Sequence, residues 1–179
     1  MNTDGTTSGA QLLDELRDEQ MRFDALLKDI GEDHMTQPGV AGEWSIKDVV
    51  AHLTFWRRRT VARFQAALHG EPLPPDPWPA EVGTADEIDA RDDEINAWSY
   101  ANDRSRPLAD VLRESNDVFD QLVATVAAFP EADLLNPARF PWLDAAEFPL
   151  TGATFFGHFH DEHERDMRAW LAKIRQQES

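Results

Sequence analysis

The sequence predicts an all-α protein, a four-helix bundle with one long crossover, and three observations carry that prediction. Four segments repeat apolar residues at spacings of three and four. No segment alternates apolar and polar residues over the length of a strand. The one long connection, between the second and third helices, opens with a stretch dominated by proline, from Glu71 to Pro79.

Taken in order, residues 1–9 are small and polar and are expected to be a disordered lead-in, with a single domain over residues 10–176. Leu12, Leu13, Leu16, Met21, Phe23, Leu26, Leu27 and Ile30 make the first helix amphipathic, and Gly31 is placed to end it. After the breaker-rich run Gln37 to Gly42, Ser45 and Asp48 form an acidic variant of the capping box that opens the second helix. Its apolar row runs from Ile46 to Leu68, with Arg57, Arg58, Arg59 and Arg63 as polar flanks and Gly70 as the stop.

Beyond the prolines, Ala85 to Asn102 has the composition of a short accessory helix with Ile88, Ile95 and Trp98 on one side. Pro107 suits the first turn of the third helix, whose stripe of Leu108, Val111, Leu112, Val118, Phe119, Leu122, Val123 and Val126 is the cleanest in the chain. Asp133 to Leu150 is irregular and leaves room for a small hairpin or lid. Thr154 to Gln176 reads as the fourth helix.

A chain of 179 residues is ample for one core and needs no disulfide or structural metal to hold it. It contains no cysteine, which excludes thiolate catalysis, Cys-ligated metal and disulfide scaffolds. A formal charge of −17 repels phosphate backbones and anionic lipid, so neither nucleic acid nor membrane is an expected partner. The N-terminus lacks the pattern of an export signal, and a cytoplasmic location is expected. There is no nucleophile elbow, phosphate-binding loop or dinucleotide fingerprint.

What remains for chemistry is histidine. Of six, His34 and His69 sit at helix ends, where capping or solvation accounts for them. His52 lies on the flank of the second helix, and His158, His160 and His163 share the fourth. Counting about 100° per residue from Phe159, the buried face of that helix centres near +50°. His163 falls at about +40°, His160 at about +100° on the border, and His158 at about −100°, facing away unless the helix bends. His52, His160 and His163 are therefore the candidate ligands for zinc, nickel or iron, with His52 and His163 as candidate catalytic base or ligand. Against this stands the simpler reading that buried histidines close hydrogen bonds in a core. Asp161, Glu162 and Glu164 are either a further ligand or base, or a solvated acidic face.

The run Pro38 to Leu53 (PGVAGEWSIKDVVAHL), followed by Trp56, resembles the second-helix signature of the DinB-like superfamily of four-helix bundles. DEINAW at 93–98 with NDRSRPL at 102–108, the FPEADL ending at 129–134 and GATFFGHF at 152–159 with Glu162 and His163 narrow the resemblance to the ClbS/DfsB branch, which includes a colibactin self-resistance protein. The resemblance spans about residues 10–175. It implies a DinB-type bundle among metal-dependent thiol transferases, isomerases and detoxification proteins. In metal-binding relatives one ligand matches His52 and two more form a four-apart pair in the last helix. Here Phe159 stands four before His163, so that pair is broken, and a metal site must use His160 or His158 or be absent.

The functional expectation is a small detoxification or stress-related protein of hydrolase or thiol-dependent transferase type, with or without a metal, that acts on or sequesters a reactive small molecule in a cavity between the second and fourth helices. The alternative is a non-catalytic binding bundle without metal. A homodimer is compatible with either.

Overall fold

The computed structural model describes residues 8–84, 88–143 and 147–177. Ser8 caps α1 (Gly9–Ile30) by accepting from the Gln11 amide, so Ser8 and Gly9 are built into the first helix rather than the lead-in, and residues 1–7 lie outside the described chain. Gly31 ends α1 at φ 80°.

The breaker-rich run after α1 is a short antiparallel hairpin, β1 (Pro38–Ala41) and β2 (Trp44–Ser45), turned by Gly42 at φ 60°. Its glycines masked it in the sequence. The hairpin delivers Ser45 as the N-cap of α2 (Ile46–His69): the Asp48 amide donates to Ser45 Oγ, and the Ser45 amide returns a bond to the Asp48 carboxylate at 2.9 Å. The expected acidic capping box is thus formed.

The proline-rich crossover is more than a surface strap. Trp78 is buried against Phe55 and Ile95 in a small second cluster, and Asp76 takes ion pairs from Arg59 at 2.6 Å and Arg63 at 3.2 Å. The accessory helix α3 (Ile88–Asp103) follows, kinked at Arg91; the expected start at Ala85 and the Ile88 side chain lie outside the described residues. Trp56 Nε1 donates to Asn96 across α2 and α3 at 3.0 Å. Lys47 Nζ donates to the carbonyls of Arg104 and Arg106, fastening the turn that precedes α4.

Pro107 stands just before α4 (Leu108–Ala128), which packs along α2 and α1. Short α5 (Glu131–Leu134) and a 3₁₀ turn (Pro137–Arg139) occupy the irregular stretch; no strand is found in it among the described residues. The last helix starts at Gly152, where a Cβ would press within 3.3 Å of Glu15 Cβ on α1 and within 3.2 Å of Glu19 Cγ. It runs as α6 (Gly152–His158), a wide π turn (Phe159–His163) and α7 (Glu164–Gln177). Leu16, Ile46, Val49, Phe64, Leu122, Phe156 and Met167, drawn from all four bundle helices, are fully buried at its centre. The expected all-α bundle with one crossover is the observed fold.

Candidate metal centre

The π turn decides the site. The Glu164 amide donates to the Phe159 carbonyl five residues back, where an α-helix would bond four back. In a regular helix five residues advance the chain by about 500°, leaving positions 158 and 163 about 140° apart. The widened turn absorbs the extra residue, so His158 and His163 point to the same side. Their Nε2 atoms are 3.2 Å apart, and His52 Nε2 from α2 reaches His158 Nε2 at 3.1 Å.

His52, His158 and His163 form one cluster whose ligand atoms all lie within 4.8 Å of one another. His52 is 4% exposed. The expected outward direction of His158 is therefore corrected: the angular count held one helical pitch across a segment that changes pitch.

His160, expected as the third ligand, is not in this cluster. Its Nε2 lies 2.6 Å from Glu19 on α1 and its Nδ1 2.7 Å from Glu164. Both ring nitrogens are engaged, and the two carboxylates raise the pKa of His160 above the ordinary value although burial works against them. Glu164 also takes Arg168, so it belongs to this ion-pair cluster and not to the triad. Glu162 does face the triad, with its carboxylate 3.4 Å from His158 Nε2 and its side chain largely exposed. His34 pairs with Gln37 in the turn after α1, and His69 is exposed at the end of α2.

Burial keeps the triad neutral. It pushes His52 down to about 2, with the neighbouring His158 and His163 adding repulsion. His158 falls to about 4 through burial and then the charge of Arg57. His163 also falls to about 4, through burial and His158, partly offset by Glu162 and Asp166. Neutral imidazole is the form that binds metals.

Hydrogen bonding alone does not satisfy the three nitrogens. His158 Nε2 meets two imidazole nitrogens, yet it offers either one proton or one lone pair, so only one contact can be a full hydrogen bond. A cation at the centre would use all three lone pairs together. The His52–His158 and His158–His163 separations, 3.1 and 3.2 Å, are close to the roughly 3.3 Å edge of a tetrahedron whose zinc–nitrogen bonds are about 2 Å. The residues present fit a metal.

His52 Nδ1 is buried without a hydrogen-bond partner. Its ring is set instead by packing, edge to face with Trp44 at 5.2 Å, and Trp44 in turn stacks on Tyr100. The β1–β2 hairpin brings Trp44 to this position, and no residue pattern around it in the sequence marks the contact.

Beside the triad, between α2 and α6, lies a cavity of about 200 Å³ lined by Leu53, Trp56, Arg57, Thr60, Phe155 and His158 among others. This is where the cavity was expected. A wider cleft of about 370 Å³ between α1 and α4 has no histidine in its lining.

The family model described as the DinB superfamily matches residues 8–166. The chain belongs to the DinB superfamily. Comparison with curated proteins and with solved structures finds no match. His52 lies in α2 within the run Pro38 to Leu53, and the last helix brings His158 and His163 to it at a spacing of five. No helix among the described residues is long and apolar enough to cross a membrane.

Proposed function

We propose that this DinB-like protein is a metal-dependent enzyme of small-molecule detoxification, a hydrolase or thiol-dependent transferase, with His52, His158 and His163 as its metal ligands. The observation that carries the reading is the convergence of three neutral imidazole nitrogens on one point, the buried His52 from one helix and the half-buried five-apart pair His158 and His163 from another. DinB-like proteins often bind metal, which supports it further.

A bound divalent ion would supply Lewis acidity and ease deprotonation of a water or thiol. His52, His158 and His163 would hold it with three ligands, the number that catalytic zinc sites use. Glu162, exposed and beside His158, is placed to accept that proton and pass it to solvent. Leu53, Trp56 and Phe155 give the adjoining cavity apolar walls, and Trp44 packs against the His52 ring. Since the chain has no cysteine, a thiol must come from a cosubstrate.

Within the superfamily, the motifs at 102–108 and 152–159 support placement near the ClbS/DfsB branch, with work in the cytoplasm. The rival reading, a binding bundle without metal, calls for histidines bonded to backbone carbonyls. Among the described residues none of the triad makes such a bond.

Metal analysis of the purified, untagged protein after reconstitution with zinc, nickel or iron tests the reading. About one ion per chain is expected. A protein that takes up none of the three would end the metal reading and leave the binding bundle.

A further inference from the structure

Three arginines of α2 turn away from solvent, and they are not treated alike. Arg59 and Arg63 both pair with Asp76. Arg57, expected as a polar flank, is 6% exposed, yet it makes no hydrogen bond and no ion pair with any described residue, and its Nε is buried without a partner. Its guanidinium lies over the Phe156 ring at 4.3 Å. Asp24 attracts it through space, but the Asp24 carboxylate is held by Gln20 Nε2 at 2.8 Å and does not come within ion-pair distance of Arg57. Burial lowers Arg57 only to about 10, so it stays cationic at neutral pH.

An unpaired buried charge is costly, and an apolar side chain of similar length would pack the same space at less cost. Arg57 lines the cavity beside the triad, and its charge is felt at His158, whose pKa it lowers. Leu53, Trp56, Phe155 and Phe159 make the other walls apolar. Thr60 Oγ1 is committed to the Trp56 carbonyl, and Thr154 Oγ1 accepts from the Thr151 amide. The cavity thus has an apolar body, one cation without a direct ion-pair partner, and His158 of the triad in its lining. Its 200 Å³ is below the roughly 300–1,000 Å³ of pockets for drug-sized ligands.

We propose that this cavity takes a small organic anion, a carboxylate or comparable oxyanion on a compact apolar body, with the negative group held by Arg57 and the rest of the molecule presented to the triad. The proposal names the substrate class of the proposed enzyme and rests on that reading only for what happens at the triad. A guanidinium offers two parallel N–H bonds to a carboxylate, and its contact with the face of Phe156 holds the Arg57 head group in place.

The test is calorimetric titration with benzoate against benzamide, and with acetate against acetamide, on reconstituted wild type, Arg57→Met, Arg57→Lys and metal-stripped wild type. Wild type is expected to prefer at least one carboxylate over its amide by tenfold or more. Arg57→Met should erase the preference at unchanged metal content, Arg57→Lys should keep part of it, and stripping the metal should leave it in place. No preference in wild type for either pair overturns the proposal. So does a preference that survives in Arg57→Met or vanishes with the metal, because the carboxylate then sits on the metal, and the metal reading stands without the anion site. A wild type that binds no metal yet shows an Arg57-dependent preference supports the anion site and defeats the metal reading instead. Arg57→Met should also melt at or above the wild-type temperature. A fall of several degrees would make Arg57 a structural residue and overturn the proposal on independent grounds.

Discussion

His158 and His163 are five residues apart in one helix, and their Nε2 atoms lie 3.2 Å from each other because the π turn between them widens the helix by one residue. The pair does the work of two histidines four apart in a regular helix, where side chains on the same face meet. Such turns in helices are frequently found at functional sites.

The histidines should accordingly be unequal in metal binding. His52→Ala, His158→Ala and His163→Ala should each reduce occupancy at least about tenfold, whereas His160→Ala and His34→Ala should leave it intact. Metal content after dialysis at equal free metal measures this. Full occupancy in His158→Ala with loss in His160→Ala would return the ligand set to the one the angular count favoured.

The metal-free protein should lose stability as pH falls from about 6.5 towards 4. His158 and His163 are held at about 4 in the folded state, against about 6.5 unfolded, so in that window the unfolded chain binds more protons and stability rises with pH. The groups facing this cluster are His52, Arg57, Glu162 and Asp166. Metal should shift the window further to acid, because it binds only the neutral imidazoles. Melting temperatures at pH 7, 6, 5 and 4, with and without metal, compare the two; a metal-free protein equally stable at all four would contradict the burial of the triad.

His160 should behave in the opposite sense. Its pKa is raised, so the stability it lends through Glu19 and Glu164 is complete below its unfolded value of about 6.5 and is lost as pH rises through the higher folded value. The pairing is partly exposed, and His160→Gln should cost at most about 1 kcal/mol at pH 6 and less at pH 8. A larger cost at pH 8 than at pH 6 would reverse the assignment.

Leu122→Ala should cost about 2–5 kcal/mol, since Leu122 is fully buried in the middle of α4 where α1 and α2 close over it. Denaturant unfolding gives the value; below about 0.5 kcal/mol the side chain would have to be at the surface.

The bundle was legible because apolar period is a local property: each of the four stripes names its own buried face. Ser45 and Asp48 marked a helix start for the same reason. The site was legible in residue type and not in phase. His52 and His163 came from the angular count, but one pitch change at Phe159–His163 exchanged His158 for His160, and nothing in GHFHDEH states how wide a turn will be. Arg57 was hidden differently. Its neighbours Arg58 and Arg59 made it look like one of a solvated row, and only packing against Phe156 takes it inside.

The π turn itself can be tested by removing a residue. Deleting Asp161, which is exposed, leaves His158 and His163 four apart, and an α-helical turn in place of the wide one would keep both on the same face without rotating α7. Met167, Trp170 and Leu171 would stay in the core, so the variant should fold with an unchanged or higher melting temperature and still bind about one metal ion per chain. Deleting Ala169 is the contrast: with no wide turn to absorb the loss, Trp170 and Leu171 rotate by about 100° off the core, and stability should fall. A stable Asp161 deletion with an empty site would show that the extra residue sets the ligand geometry itself and is not a spacer that an ordinary helical turn can replace.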